Sequence, residues 1–203
     1  MRIVTIIPTQ GRDTLERTLR SFYDQNLQDG DACVVMIDTH GMPSEHYSEI
    51  SNRVREFGDQ FYPFPYDAEH NCFGHCQLNK GLEIFGSHGI VTFNDDDDIF
   101  AEGIFDTIRR DFAEDSNGLH VYKFVTPWRG ILPSGTRLFE GGVGGHCLTF
   151  RGDKPRGEFT CRYAGDWDFI QSTLEAWQGN GTVYFHDDVI AITRPRPEDI
   201  WWG

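Results

Sequence analysis

Four consecutive aspartates, Asp95–Asp98, are the residues of this sequence best suited to chemistry. They directly follow the apolar segment Ile90–Phe93, at the carboxyl end of an expected strand, where open α/β sheets bind ligands. Along an extended chain, Asp95 and Asp97 would point to one side and the other two to the opposite side. Converging carboxylates resist joint ionisation unless a cation is present, and Mg²⁺ or Mn²⁺ suits such oxygens. The run predicts a divalent-metal site; a solvated acidic turn or a set of helix caps is the alternative.

A second group of candidate ligands combines histidine with cysteine: His70, Cys72, His75 and Cys76. Both residue types bind Zn²⁺, but the spacing is not a paired Cys-x-x-Cys arrangement and no second matched pair follows. We therefore expect Cys72 and Cys76 to be small buried hydrophobic residues. His75 is expected to lie near a bound ligand, and metal binding by this group stays open.

Apolar β-branched segments alternate with helical periodicity along the 203 residues, which predicts a single α/β domain. Asp13 is the expected cap of the first helix, and Pro8 is expected to stop the first strand. A glycine-rich stretch at 130–145 is expected to be a mobile loop. Expected strands cover 3–7, 33–37, 61–64, 90–93, 119–125, 147–150, 183–185 and 189–193, and expected helices follow Asp13 and cover 43–57, 75–85, 104–112 and 166–177.

Charge and cysteine content limit the environment and the partners. Five cysteines, an odd and small number, fit reduced thiols better than a disulfide framework. The formal charge of −14 disfavours nucleic acid and anionic membranes over most of the surface. No apolar run is long enough to span a bilayer and no signal peptide is visible. We expect a cytoplasmic protein without membrane insertion.

The order of five motifs resembles family 2 glycosyltransferases and their GT-A relatives. Those enzymes open with a strand ending in Pro-Thr and a Leu-rich helix, followed by a strand ending in aspartate, an Asn-Lys-Gly-Leu element, an Asp-x-Asp signature and a Glu-Asp pair before a helix. The counterparts here are Ile3–Thr9 with Leu15–Phe22, Val34–Asp38, Asn79–Leu82, Phe93–Asp98 and Gly165–Phe169. The sequence departs from the pattern at Asp38-Thr39, where two acids are usual, at Gly165, where glutamate is usual, and after Arg194, where no histidine completes a metal site.

The resemblance implies a GT-A-like, Rossmann-like fold with a mostly parallel sheet flanked by helices, in a single domain. Residues 1–100 would bind the nucleotide-sugar donor, with a UDP-sugar favoured, and residues 101–203 would bind the acceptor. Mn²⁺ or Mg²⁺ would be held by Asp95, Asp97 and Asp98. The donor would contact Pro8, Thr9, Arg12, Asp38, Asn79, Lys80, Asp95 and Asp96.

Asp166 is the implied general base, which an inverting displacement needs behind the anomeric carbon. Capping of its own helix is the structural alternative, and Asp168 is the alternative base. Trp167 is expected either to stack on a sugar or to belong to the core. The stretch Gly141–Gly145 suits a lid, a close backbone approach to a sugar, or a plain connection. Contact with the diphosphate is expected of Arg194 and Arg196.

Other functions compete with sugar transfer. A nucleotidyltransferase or a nucleotide-sugar hydrolase would use the same metal and phosphate, and a non-catalytic module would bind cation or nucleotide without turnover. The acceptor stays unidentified: a saccharide, a protein side chain, a lipid-linked sugar or a hydroxymethylated nucleic-acid base all fit. A polyanionic acceptor is kept open by basic residues of the second half, Lys123, Arg129, Arg137, Arg151, Lys154, Arg156 and Arg162.

Overall fold

One sheet of nine strands frames the computed structural model, which describes residues 1–68, 72–87, 89–177 and 181–195. The strands are β1 (Ile3–Thr9), β2 (Ala32–Asp38), β3 (Phe61–Tyr66), β4 (Ile90–Phe93), β5 (Ile99–Phe100), β6 (Leu119–Thr126), β7 (Gly130–Leu132), β8 (Leu148–Arg151) and β9 (Val183–Ile192). The helices are α1 (Leu15–Tyr23), α2 (Ser44–Arg55), α3 (His75–Phe85), α4 (Ile104–Glu114) and α5 (Gly165–Ala176). The strand order is β3-β2-β1-β4-β8-β6-β9-β5, with β7 paired to β6.

The front of the sheet is parallel, and its inner strands are buried on both faces. Strands β3, β2, β1 and β4 pair in parallel, and every residue of β1 and β4 is buried. This burial explains why both strands are apolar runs without polar alternation. Because parallel strands end at the same edge, the ends of β1, β2 and β4 meet there, and the backbone N–H of Asn94 donates to the Ile6 carbonyl at 3.3 Å. The acidic run therefore starts beside the end of β1.

The back of the sheet is mixed. Strand β8 is antiparallel to β4 and β6, whereas β9 is parallel to β6, with register irregularities. The segments expected as separate strands at 183–185 and 189–193 are one strand, β9. The expected α/β fold with a flanked, Rossmann-like sheet is confirmed, and the parallel order belongs to its front half.

Several local expectations were wrong for physical reasons. Strand β1 continues through Pro8 to Thr9. Asp13 does not cap α1, which starts at Leu15 after Thr14 without a side-chain cap. By contrast, the strand expected at 61–64 is confirmed as β3, which tolerates two prolines because it is at the sheet edge, where a missing N–H costs no ladder bond. Part of the stretch expected to be a mobile loop forms β7 and a 3₁₀ turn at Gly145–Cys147.

A histidine pair, His120 and His186, joins β6 to β9. The Nδ1 of His120 lies 2.9 Å from the Nε2 of His186, and its Nε2 lies 3.0 Å from the carbonyl of Asp115. The Nδ1 of His186 lies 3.2 Å from a carboxylate oxygen of Asp111. Burial, reinforced by His186, lowers the pKa of His120 to about 4. The folded chain thus keeps His120 neutral where an unfolded chain would protonate it.

This difference predicts an acid-sensitive stability. Between the ordinary histidine pKa of about 6.5 and the folded value, the unfolded state binds one more proton, so stability falls as pH falls, by at most about 1.4 kcal/mol per pH unit. We expect His120→Gln to flatten the decline in urea-unfolding free energy between pH 6.5 and 4, relative to wild type. The exposed His46→Gln is the control and should keep the wild-type slope. Parallel curves for wild type and His120→Gln would contradict the assignment.

Candidate functional site

A cavity of about 970 Å³ opens at the carboxyl edge of the parallel strands. Its walls come from the end of β1, the acidic run, the start of α3, the β6–β7 turn, the glycine-rich loop and the start of α5. The residues used below that line it are Pro8, Thr9, Arg12, Phe73, His75, Asp95, Asp96, Asp98, Trp128, Gly145, His146, Tyr163, Asp166, Trp167 and Arg194. Residues from both halves of the chain therefore share one cavity.

The acidic run is a turn rather than an extended segment. The backbone N–H of Asp98 donates to the carbonyl of Asp95 at 3.2 Å, which closes the turn. The expected alternation of side chains was therefore wrong. The carboxylates of Asp95 and Asp98 approach the imidazole of His146, and one potential ligand atom from each lies within 4.8 Å of the others. Asp97, one of the expected metal ligands, lies outside this group.

The chemistry of this trio fits a divalent cation. The His146 Nδ1 lies 3.6 Å from a carboxylate oxygen of Asp98, and its buried Nε2 has no hydrogen-bond partner among the described residues. Desolvation inside the cavity and the neighbouring Asp166, Asp97 and Asp96 raise the pKa of Asp95 to about 7, although Asp95 is exposed to the open cavity. Burial and Asp95 also raise the pKa of Asp98 well above its usual range. A bound cation would offset the repulsion between Asp95 and Asp98, and its coordination would give the imidazole of His146 a partner.

Positive and hydroxyl groups hold the other two acids. The Thr9 hydroxyl donates to Asp96 at 2.6 Å, and the Arg12 guanidinium lies 3.2 Å from Asp96 and 3.1 Å from Asp97. Arg194 also reaches Asp97, at 3.1 Å. One oxygen of Asp98 accepts a hydrogen bond from the backbone N–H of Arg194 at 2.8 Å. Asp95 and the second oxygen of Asp98, which faces His146, therefore keep capacity for a ligand.

Asp166 lies in the first turn of α5, lines the same cavity as the metal-ligand candidates and is near enough to Asp95 to raise its pKa. Burial raises its pKa, against the opposing influence of His75 and of a hydrogen bond from the backbone of Gly145. The His75 Nε2 lies 3.7 Å from a carboxylate oxygen of Asp166, and the His75 Nδ1 lies 2.7 Å from the carbonyl of Thr160. A side chain at Gly145 would bring its Cβ to 3.2 Å from Asp166. Glycine there lets the backbone itself contact this carboxylate.

Comparison with known proteins settles the fold. No family model and no curated relative matches the chain. Among solved structures, S. aureus TarS 1-349 superposes with a TM-score of 0.70 at 16% identity, over 95% of this chain and 60% of that one. Its complex with UDP-GlcNAc gives 0.67 at 14%, over 97% and 59%. The mannosyltransferase PcManGT from Pyrobaculum calidifontis, in complex with GDP-Man and Mn²⁺, gives 0.65 at 15%, over 96% and 57%.

The chain has the GT-A glycosyltransferase fold. At these identities the likeness shows the fold alone, and the chain spans less than two thirds of the length of these structures. Among the described helices, none is long and apolar enough to cross a membrane.

Within this GT-A fold, the residues expected to bind the donor separate into two groups. Those that line the cavity are Pro8, Thr9, Arg12, Asp95 and Asp96. Asp38 lies behind the lining, where it accepts hydrogen bonds from the Gln10 side chain at 3.3 Å and the backbone N–H groups of His40 and Ala68 at 3.0 and 3.3 Å. Its expected contact with the nucleoside stays a prediction.

Asn79 and Lys80 have other partners and do not line the cavity. The Asn79 side chain accepts from the backbone N–H of Phe159 at 2.9 Å and donates to its carbonyl at 2.8 Å. Lys80 pairs with Glu83 at the surface at 2.8 Å. The structure therefore gives Asn79 a positioning role: it fixes the segment that leads to Asp166.

The contacts of the residues around Asp166 bear on the other expectations for this region, including Asp168 as the alternative base. Asp168 is bound by Thr160 and by both sides of the Arg162 guanidinium, and these hydrogen bonds lower its pKa to about 2. Trp167 lines the cavity and also packs against the core. Glycine replaces the family's glutamate at Gly165 because a Cβ there would collide with His75 and the Thr160 carbonyl. Of the arginines expected at the diphosphate, Arg194 lines the cavity and Arg196 lies outside the described residues.

The cysteines correct two expectations. Cys72 and Cys161 form a disulfide, so the expectation of reduced thiols was wrong for these two; Cys33, Cys76 and Cys147 are free thiols. The zinc alternative combined Cys72 and Cys76 with histidines, but the third group near these sulfurs is Cys161. His75 contacts Thr160 and Asp166 instead, and His70 lies outside the described residues.

His146 is the site residue that sequence reasoning missed. Family 2 glycosyltransferases have their metal-binding histidine after the position of Arg194, whereas His146 precedes β8. A usable signal was present, because a histidine after a glycine-rich stretch and before an apolar strand is placed at a strand end. Only the pairing of β8 with β4 shows that this strand end meets the acidic run.

Because Asn79 makes two hydrogen bonds to Phe159, its replacement should cost more stability than replacement of its exposed neighbour Lys80. We expect Asn79→Ala to lower the urea-unfolding free energy by about 1–3 kcal/mol, because two backbone groups of Phe159 lose their partner. The matched control Lys80→Ala removes a surface ion pair and should cost less than about 1 kcal/mol. Equal losses for the two variants would mean that Asn79 does not hold this segment.

Proposed function

We propose that this chain is a metal-dependent, inverting glycosyltransferase that moves a sugar from a nucleotide diphosphate to a hydroxyl acceptor. The observation that carries the proposal is the convergence of Asp95, Asp98 and His146 in a cavity that Asp166 also lines. The fold supports it, since solved structures with this fold hold UDP, UDP-GlcNAc, or GDP-Man with Mn²⁺. A UDP-sugar is the donor we favour.

On the donor side, the cavity offers groups suited to a diphosphate. The Arg12 and Arg194 guanidinium groups lie beside the acids, where they balance Asp96 and Asp97. Guanidinium forks recognise phosphate oxygens with paired hydrogen bonds. Pro8 and Thr9, at the end of β1, present backbone to the same space. This end of the cavity would hold the nucleotide, with Arg194 of the second half joining residues of the first.

Asp95, Asp98 and His146 would hold the metal ion. Mg²⁺ prefers oxygen ligands alone, whereas an imidazole ligand suits a transition metal, so this set favours Mn²⁺. When bound, such an ion stabilises the negative charge that develops on the departing diphosphate. Asp97 contributes through its arginine contacts rather than as a ligand.

Asp166 is the group we assign as general base for the acceptor hydroxyl. A useful base needs a pKa raised toward the working pH, and burial raises that of Asp166. His75 and the backbone of Gly145 orient its carboxylate. Asp168 is a poorer candidate, because Arg162 occupies its carboxylate and stabilises the ionised form.

The acceptor would enter from the side built by residues 101–203. A cytoplasmic location stays a prediction from sequence, and the disulfide between Cys72 and Cys161 weighs against it, since disulfides persist mainly in oxidising compartments.

The function is tested by following UDP or GDP release and acceptor mass with a panel of nucleotide-sugars, Mn²⁺ and soluble saccharides. We expect one donor to be consumed with a matching gain in acceptor mass, and Asp166→Asn to slow this transfer about 100- to 10,000-fold. The control Asp168→Asn should lose less than about tenfold, because its carboxylate is tied to Arg162.

Other outcomes point to other functions. Release of free sugar without a gain in acceptor mass would identify a hydrolase. Absence of any consumption across the panel would contradict enzymatic transfer, and full activity of Asp166→Asn would remove Asp166 as the base.

A further inference from the structure

The cavity has a rim of exposed aromatic side chains that have no role in the proposed binding of the donor. Tyr163, in the turn before α5, is 89% exposed, Trp128 of the β6–β7 turn is 70% exposed and Phe73, just before α3, is 55% exposed. All three line the same cavity as Asp166. Large exposed aromatic surfaces grouped at a cavity mouth mark a binding surface.

The backbone at Phe73 supports a functional role for its ring. Phe73 has a φ of 54°, in the left-handed region that bulky residues rarely adopt. Glycine follows it, and Gly74 also has a positive φ of 83°. This conformation places the Phe73 ring edge-on to Tyr163, with ring centroids 6.4 Å apart. Strained backbone of this kind clusters at ligand-binding sites, which supports a binding role for the Phe73 ring.

The charges around the cavity do not suit an anionic ligand at this rim. The three arginines of the described lining all have protein partners: Arg12 and Arg194 contact acids, and Arg129 donates to the Gly141 carbonyl at 2.6 Å. Near Tyr163, Arg162 lies between Asp168 and Glu140. Among the described lining arginines, Arg129 alone has no acidic partner, so the rim carries one unbalanced positive charge rather than a basic patch.

Some of the seven basic residues that kept a polyanionic acceptor open are paired within the protein. Three pair with acids: Lys123 with Asp187, Arg151 with Asp153, and Arg162 as described. Arg129 and Arg156 donate to backbone carbonyls. The positive charge available to a polyanion in the second half is therefore smaller than the sequence indicated.

We propose that Phe73, Tyr163 and Trp128 form an acceptor subsite that stacks against an uncharged sugar ring. The proposal rests on the proposed function and names its acceptor class as a neutral saccharide. The apolar C–H face of a pyranose matches an aromatic face, and its hydroxyl groups stay hydrated at the open rim. Stacking there would leave one hydroxyl directed toward Asp166, deeper in the cavity.

The test is calorimetric binding of neutral trisaccharides, chitotriose, cellotriose, maltotriose and mannotriose, to the full chain with UDP and Mn²⁺. We expect at least one to bind, with an affinity that does not change between about 50 and about 300 mM salt. Tyr163→Ala should weaken this binding about threefold to tenfold. Tyr163→Trp should restore it, and the control Tyr62→Ala, a half-exposed tyrosine outside the cavity, should leave it unchanged.

The affinity for UDP, measured separately in each variant, distinguishes the two proposals. It should be equal in wild type and all variants; a chain that binds no nucleotide would fail the proposed function, whatever its saccharide binding. The acceptor inference is overturned if UDP binds but no neutral trisaccharide does, or if Tyr163→Ala binds saccharide like wild type. Preferential, salt-sensitive binding of chondroitin sulfate or polyphosphate would overturn it in favour of an anionic acceptor.

Discussion

Mutual repulsion among crowded carboxylates is the constraint on which the site depends. Asp95, Asp98 and Asp166 line one cavity, and desolvation there raises the pKa of each, although only Asp98 is fully buried and Asp95 is exposed to the open cavity. Carboxylates in such a setting either stay protonated or find positive charge. Arg12 supplies that charge to Asp96, and Arg194 supplies it to Asp97. Asp95 and Asp98 also lie near Arg194, whose backbone N–H donates to Asp98 at 2.8 Å. Their other described neighbour is His146, whose own pKa burial lowers to about 4, so it is neutral at pH 7 and fit to be a metal ligand.

The fold satisfies this constraint by joining two kinds of sheet. Parallel β1 and β4 end beside each other and deliver the acidic run. Antiparallel β8 pairs with β4 and so brings His146, which precedes it, back to the same edge. The segment before α5 is fixed to α3 by His75 and Asn79, which contact Thr160 and Phe159. Both faces of the cavity are thus positioned by backbone contacts between distant parts of the chain.

Sequence reasoning recovered the elements with strong local signals. Helix α3 and strand β4 have the expected bounds, because apolar periodicity and burial agree there. It failed where pairing across the sheet decides the geometry. The role of His146 and the Asn79–Phe159 contact depend on residues far apart in sequence. The turn at Asp95–Asp98 is local, closed by one hydrogen bond, but four identical residues carry no signal that distinguishes a turn from an extended segment. The contact between Cys72 and Cys161 spans 89 residues, and no local pattern could have indicated it.

The central claim is that the acidic turn and His146 bind a cation together with a nucleotide. Electron paramagnetic resonance of Mn²⁺, titrated with the protein in the presence of UDP, measures this directly, because the signal of free Mn²⁺ falls on binding. We expect one Mn²⁺ per chain, lost in Asp98→Asn and in His146→Ala and retained in the surface variant Asp153→Asn. Undiminished free Mn²⁺ with wild type, or equal binding by Asp98→Asn, would show that these acids form a turn and not a metal centre.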